Sequence, residues 1–249
     1  MRKSNTLLAT IMPLLAAGSG LHAEGAWTLG AIIVGETGYY VGQKDEVALV
    51  PYISFETERF EFSLHDGVAY HAFQGDGPNG SAARLSFVLT PRWEPDFSDD
   101  PVFDGLDRDT AFEVGMRGAY ARGLFFAEAE ALADVSDTHN GYEASAAVGL
   151  QYEAGAFRLE GGVGARYRSG DLNQHLFGVS ASEAGATRAA FTPGDSTTGF
   201  ASVTAAYALN DNVALVGDIT FEDFGNMQAS PLVGKGSTTS LALGLIYQF

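Results

Sequence analysis

Cysteine is absent from this chain, which removes both a disulfide framework and any thiolate metal site. Cations are scarce: 14 Lys plus Arg stand against 31 Asp plus Glu, for a formal net charge of −17. So little positive charge cannot displace the counterions of a phosphate backbone, and nucleic acid is excluded as a partner. Past residue 23 no apolar run approaches the ~20 residues that a spanning helix needs. Also missing are a Gly-x-Ser-x-Gly elbow, a zinc-type spacing of histidines, and a glycine-rich loop leading from a strand into a helix. The chain offers no recognisable catalytic residue, metal-ligand set or cofactor site, and a non-enzymatic protein is the expectation.

Residues 1–23 read as a secretory signal peptide. Arg2 and Lys3 form a positive start, Leu7 to Ala17 a short apolar core, and Leu21-His22-Ala23 ends in a small residue suited to cleavage. The core is too short for a comfortable anchor, and Pro13, Gly18 and Gly20 break it up. Residues 24–249 then form one domain.

What that domain has in abundance is alternation. Val47, Leu49, Pro51, Ile53 and Phe55 share one parity; so do Phe60, Phe62 and Leu64, and Leu85, Phe87 and Leu89. Phe112, Val114 and Met116 continue the pattern, as do Tyr142 to Tyr152, Phe157 to Tyr167, Val203 to Tyr207 and Val213 to Phe221. Successive strand side chains point to opposite faces, so each segment is a strand with one greasy and one small or polar face. A closed sheet satisfies its own backbone groups and crosses a bilayer without a long apolar run. Charges within strands and aromatics at the ends of the greasy faces suit a polar lumen and interfacial girdles.

The expected fold is all-β: a transmembrane antiparallel up-and-down β-barrel of about 12 strands, with ten as the alternative. Eleven alternating segments are visible, whereas bacterial single-chain barrels have even numbers. Turns at Arg122-Gly123, Ala154-Gly155 and Asn210-Asp211 fall on one side, and the long segments 168–197 and 223–238 on the other. The miscount therefore lies upstream of residue 110: a strand hidden in 35–46 or 93–109, or one misread nearer the N-terminus. The segment from Phe60 is expected to run to Phe73 as one strand, with a bulge at Asp66-Gly67.

The last strand carries Leu241, Leu243, Leu245, Tyr247 and Phe249 on one parity, with Ile246 the one large apolar residue on the other. Ending on an aromatic carboxy-terminus, it resembles the terminal strand of outer-membrane barrels. That resemblance implies an assembly signal read by the barrel-insertion machinery.

On lumen parity lie Glu113, Arg117, Glu128, Glu130, Glu143, Arg158, Glu160 and Arg166. Adjacent strands bring such opposite charges within pairing distance. They form either a mixed-charge constriction on a solute path or an ion-pair network filling a narrow barrel. The acidic stretch 94–109 is a solvated loop or, with its many oxygens, a calcium binder or a divalent-bridged contact to lipopolysaccharide. His65 and His71 share a parity, so both can face the lumen. Ser182 to Arg188 is rich in helix formers, and a short helix there is expected, either folded inward to constrict the barrel or lying outward as a binding surface.

Four short blocks give a more specific signal. Leu176-Phe177-Gly178-Val179-Ser180-Ala181-Ser182-Glu183-Ala184 resembles the YYGVS-x-x-EA block of the MipA/OmpV family, with Leu176 and Phe177 in place of the two tyrosines. Ser230-Pro231-Leu232-Val233 resembles its SPIV block, Thr37 to Gly42 its Y-x-G-S segment, and Val50-Pro51-Tyr52-Ile53 its LP-x-I strand. The blocks occur in family order across most of the chain. The resemblance implies an outer-membrane barrel in contact with lipid and lipopolysaccharide. It also implies a scaffold for murein-processing enzymes, a murein transglycosylase and a penicillin-binding protein among them. A narrow porin-like channel is the alternative and an outer-membrane hydrolase the third reading; no catalytic set comes with the family.

Overall fold

The structure, a computed structural model, describes residues 25–249 apart from Asp96 and Ser98. The expected signal peptide lies outside the described residues. Twelve antiparallel strands close into a barrel in simple up-and-down order: β1 (Ala26–Glu36), β2 (Glu46–Glu56), β3 (Phe60–Ser63), β4 (Gly67–Gly77), β5 (Ser81–Arg92), β6 (Ala111–Arg122), β7 (Phe125–Asp134), β8 (Tyr142–Ala154), β9 (Phe157–Arg168), β10 (Ser196–Ala208), β11 (Val213–Asp223) and β12 (Ser237–Gln248). One helix, α1 (Gly170–Phe177), lies between β9 and β10. Residues 57–59, 78–80, 123–124, 155–156 and 209–212 are the tight turns at one end; 37–45, 93–110, 135–141, 169–195 and 224–236 are the long loops at the other.

The missing strand is resolved at β3 and β4. The expected single strand from Phe60 to Phe73 is two, joined by a turn at 64–66 where a bulge was expected. Gly67 makes this possible with φ +85, a conformation that costs a glycine little. The true bulge sits between His71 and Phe73, where the register against β5 shifts. It places buried His71 inward and exposed Phe73 outward although their numbers share a parity. Among the described residues, neither 35–46 nor 93–109 contains a further strand beyond the ends of β1 and β2.

β3 is so short that it pairs with β2 only from Ser54 to Glu56, and β2 runs on above it. The Ile53 carbonyl accepts from the Leu64 amide at 3.0 Å, so odd residues of β2 aim their backbone groups toward β3. Pro51 falls just beyond the end of that neighbour, where a missing N–H breaks no ladder bond.

The greasy parity faces outward throughout. Leu241, Leu243, Leu245, Tyr247 and Phe249 are all exposed on the outer wall, as are Leu85, Phe87, Leu89, Val114 and Val163. Trp27 with Phe55, Phe60 with Tyr70, and Tyr247 with Phe249 pair their rings near the short-turn end; Tyr142 and Tyr167 pair near the long-loop end. Such aromatic rings mark the two membrane interfaces. Ile246 is inward for a reason: with Ile32, Val34, Tyr52, Val216 and Ala242 it fills one side of the lumen with an apolar cluster.

Candidate functional site

The other side of the lumen carries the charges, and strand register decides their partners. Arg168 of β9 stands opposite Glu143 of β8, and Arg117 of β6 opposite Glu130 of β7. Arg117 Nε donates to Glu130 at 2.6 Å, and Arg168 Nε to Glu143 at 2.9 Å. Arg168 Nη2 reaches across β10 to Glu222 of β11 at 2.7 Å. Arg166 also pairs with Glu222, and its Nε lies 3.5 Å from Glu143. Arg92 of β5 completes the layer, 2.9 Å from Glu113 and 3.5 Å from Glu143. His139, in the loop after β7, presses Nε2 within 3.2 Å of Glu113. Carboxylates and guanidiniums therefore alternate across the lumen from β5 to β11, each charge desolvated but opposed.

Of the eight charges expected in the lumen, Glu113, Glu143 and Arg166 join this layer, while Arg117 and Glu130 pair lower down. Glu128 and Glu160 line the same wall, partly buried, without joining the layer. Arg158 pairs instead with Glu153 near the short-turn rim, at 2.9 Å. Sequence reasoning missed Arg92, Arg168 and Glu222. All three lie on the lumen parity of strands already recognised, two residues beyond Thr90, Arg166 and Thr220. Following the alternation to the strand ends finds them.

Above this layer the long loops fold inward as an aromatic plug. Tyr40, Val102, Phe103, Phe177, Val179, Phe224, Met227 and Leu232 form one buried cluster, with Phe97 and Phe191 packed against it. Tyr40 contacts the rings of Phe97, Phe103 and Phe177, and its hydroxyl donates to the Leu176 carbonyl at 3.0 Å. Burial raises the pKa of Tyr40, which keeps this donor protonated. Ser230 Oγ donates to the Phe177 carbonyl at 2.6 Å, and Arg188 Nη1 to the Val102 and Asp104 carbonyls at 2.6 and 2.8 Å. Arg108 binds the His175 and Gly178 carbonyls and the Glu183 carboxylate. That Arg108 bond holds the Glu183 pKa down to about 2.

The helix expected at Ser182–Arg188 is not helical; α1 forms twelve residues earlier. Ser169 caps it by accepting from the Leu172 amide, and Asp171 complements the positive end of its dipole. In 182–188, Gly185 and the Arg108–Glu183 and Arg188–Glu183 bonds favour tight turns over a helix. In the acidic stretch Glu94, Asp99, Asp104, Asp107 and Asp109 are exposed, as a solvated loop would have them, while its apolar residues Phe97, Val102 and Phe103 enter the plug; Asp96 lies outside the described residues. Between plug and ion layer lies a cavity of about 90 Å³, bounded by Tyr39, Tyr40, Phe177 and Phe224 on one side and Arg92, Arg168 and Glu222 on the other.

The family model for the MltA-interacting protein MipA matches residues 29–249. The chain belongs to this family. It is 25% identical over 245 residues to the MltA-interacting protein of Escherichia coli K12, covering 95% of this chain and 96% of that one. It is 22% identical over 218 residues to the putative outer membrane protein YiaT of the same organism, covering 84% and 85%. Among solved structures it is similar to OmpT of Vibrio cholerae, with a TM-score of 0.42 and 9% identity over 90% of this chain and 98% of that one. It is also similar to the NanC porin, with a TM-score of 0.45 and 10% identity over 88% and 98%. This MipA-family barrel is an outer-membrane protein, and the relatives' names describe interacting or outer-membrane proteins rather than enzymes.

Proposed function

We propose that this MipA-family barrel is a non-enzymatic scaffold of the cell envelope that holds murein-processing enzymes at the outer membrane. The observation that carries the reading is the filled interior. Aromatic loops cap one end and a continuous ion-pair layer spans the lumen beneath them, which suits an anchor better than a conduit. A relative named for interacting with MltA supports a murein transglycosylase as one partner, and a penicillin-binding protein is the second expected client. Outer-membrane barrels turn their short turns to the periplasm. The docking face is then the rim formed by 57–59, 78–80, 123–124, 155–156 and 209–212. Cross-linking intact envelopes and purifying the barrel should recover a murein transglycosylase or synthase; recovery of neither refutes the scaffold.

A gated solute path is the second reading, favoured by the charged lumen wall. Planar-bilayer recording should show no unit conductance for the intact protein under the scaffold reading. Steps that appear on deleting 170–195 would favour a gated path instead. The hydrolase reading has the least support, for want of access. Ser86, His71 and Glu61 lie in the order of a nucleophile, base and carboxylate, but Ser86 is only 3% exposed, which leaves its hydroxyl little access to a carbonyl substrate.

A further inference from the structure

His71 and Glu61 also belong to a second grouping, which carries a different chemistry. Glu56 at the end of β2, Glu61 in β3 and His71 in β4 converge inside the barrel, one from each of three successive strands. One ligand-type atom of each lies within 4.8 Å of the other two. Glu61 is 8% and His71 1% exposed.

The imidazole is what turns a pair of carboxylates into a site. Its Nδ1 lies 2.9 Å from Ser86 Oγ, which fixes the ring. Its Nε2 is buried, has no hydrogen-bond partner, and faces Glu61 Oε2 at 3.7 Å. That separation is too long for a hydrogen bond. If Nδ1–H donates to Ser86, a bare Nε2 lone pair faces a carboxylate, an arrangement that a cation between them relieves. Ligand bonds of about 2.0–2.2 Å hold two ligands of one tetrahedral zinc roughly 3.3–3.6 Å apart, so His71 and Glu61 are already close to that spacing. A hydroxyl on the second ring nitrogen is also how metal-bound histidines are commonly oriented.

Arg84 now shares these carboxylates through long contacts, 3.5 Å to Glu56 and 4.0 Å to Glu61. A metal ion would take over that neutralising role at shorter range.

We propose that Glu56, Glu61 and His71 form a binding site for a divalent first-row transition ion of the zinc type, completed by water. One imidazole with two carboxylates suits such an ion better than calcium, which takes oxygen alone. The ion clips together β2, β3 and β4 where the wall is weakest, since β3 has only four residues and pairs with β2 at three positions. The ligands are 5 and 10 residues apart in the chain and fit no local metal motif. The β2–β3 and β3–β4 turns bring them together, pairing Glu56 with Glu61 and setting His71 two residues from Ala69, the partner of Glu61.

The test uses the untagged full-length barrel folded in detergent, stripped with chelator and titrated calorimetrically with Zn²⁺. One ion per chain is expected. His71→Ala and Glu61→Gln should weaken binding at least about tenfold, and Ser86→Ala by about 10–100-fold, as second-shell losses do. Arg84→Gln, which removes the competing cation, should tighten it. His65→Ala, in the adjoining turn, should bind as wild type. Unchanged affinity in a folded His71→Ala barrel overturns the site, as does unaltered or weaker binding in Arg84→Gln. Should a ligand variant fail to fold, zinc-edge absorption of the loaded wild type decides. One nitrogen among oxygens is expected; an all-oxygen or multi-histidine shell overturns the site.

Discussion

Arg168 bridges two buried carboxylates of the upper ion layer, and replacing it with Met tests whether that layer holds the barrel together. Its guanidinium lies 2.9 Å from Glu143 and 2.7 Å from Glu222, with side-chain exposures of 6%, 11% and 5% respectively. Coulomb's law at an effective dielectric of about 20 gives ~6 kcal/mol of gross attraction at the shorter distance. Desolvation of both partners offsets much of this in the intact pair. Truncation forfeits the attraction yet leaves the carboxylates dry, so Arg168→Met should cost about 3–5 kcal/mol. Methionine keeps most of the apolar stem, which limits the packing change. Glu222→Gln should cost a similar amount. The double variant should cost less than the two combined, with a coupling of ~1–3 kcal/mol. Reversible urea unfolding in lipid vesicles, followed by the fluorescence of Trp27 and Trp93, measures all three. The exposed Lys235–Asp45 pair is the control, and Lys235→Met should leave the midpoint where it was. A loss under about 1 kcal/mol for Arg168→Met, with additive doubles, would refute the picture of a coupled buried layer.

Four further outcomes are expected. Tyr40→Ala should cost the plug about 3–5 kcal/mol and expose 170–195 to protease while strand protection persists, whereas Tyr40→Phe should lose only about 1 kcal/mol. Gly67→Ala should cost of order 1–3 kcal/mol, because a Cβ at φ +85 meets the Leu89 carbonyl oxygen; an unchanged unfolding midpoint would contradict the turn geometry. The plug should loosen in acid. Burial, with the neighbouring His139 and Arg108, lowers His175 to about 4, below its ordinary value near 6.5, so the unfolded helix binds more protons in between. Plug stability is then full above about pH 6.5 and is lost as the pH falls toward 4, whereas Glu183 gives way only from about 4.5 down to 2. His175→Gln should flatten the upper window in hydrogen exchange, and persistence of that window would count against the assignment. Deleting Phe249 should reduce assembled barrel in the outer membrane yet spare folding in detergent; equal assembly in cells would remove its signal role.

Side-chain parity determined a great deal without any structure. A strand has two faces, so the outward position of Leu241, Leu243, Leu245, Tyr247 and Phe249, and the inward position of Glu113, Glu143 and Arg166, followed from odd and even numbers. Parity also located the counting error upstream of residue 110. It could not show that 64–66 turns back, because a turn and a bulge both break alternation; pairing with β2 and β5 distinguishes them. Nor does local pattern reveal stagger between strands. Stagger alone sets Arg168 against both Glu143 and Glu222, and brings Glu56, Glu61 and His71 to one point. The plug lay furthest from view. Its aromatics come from five separate stretches between Tyr39 and Val233, each too short to show a periodicity. Only closure of the barrel brings the loop bases close enough for Tyr40, Phe103, Phe177 and Phe224 to bury one another, since hydrophobic contact requires proximity and not sequence order.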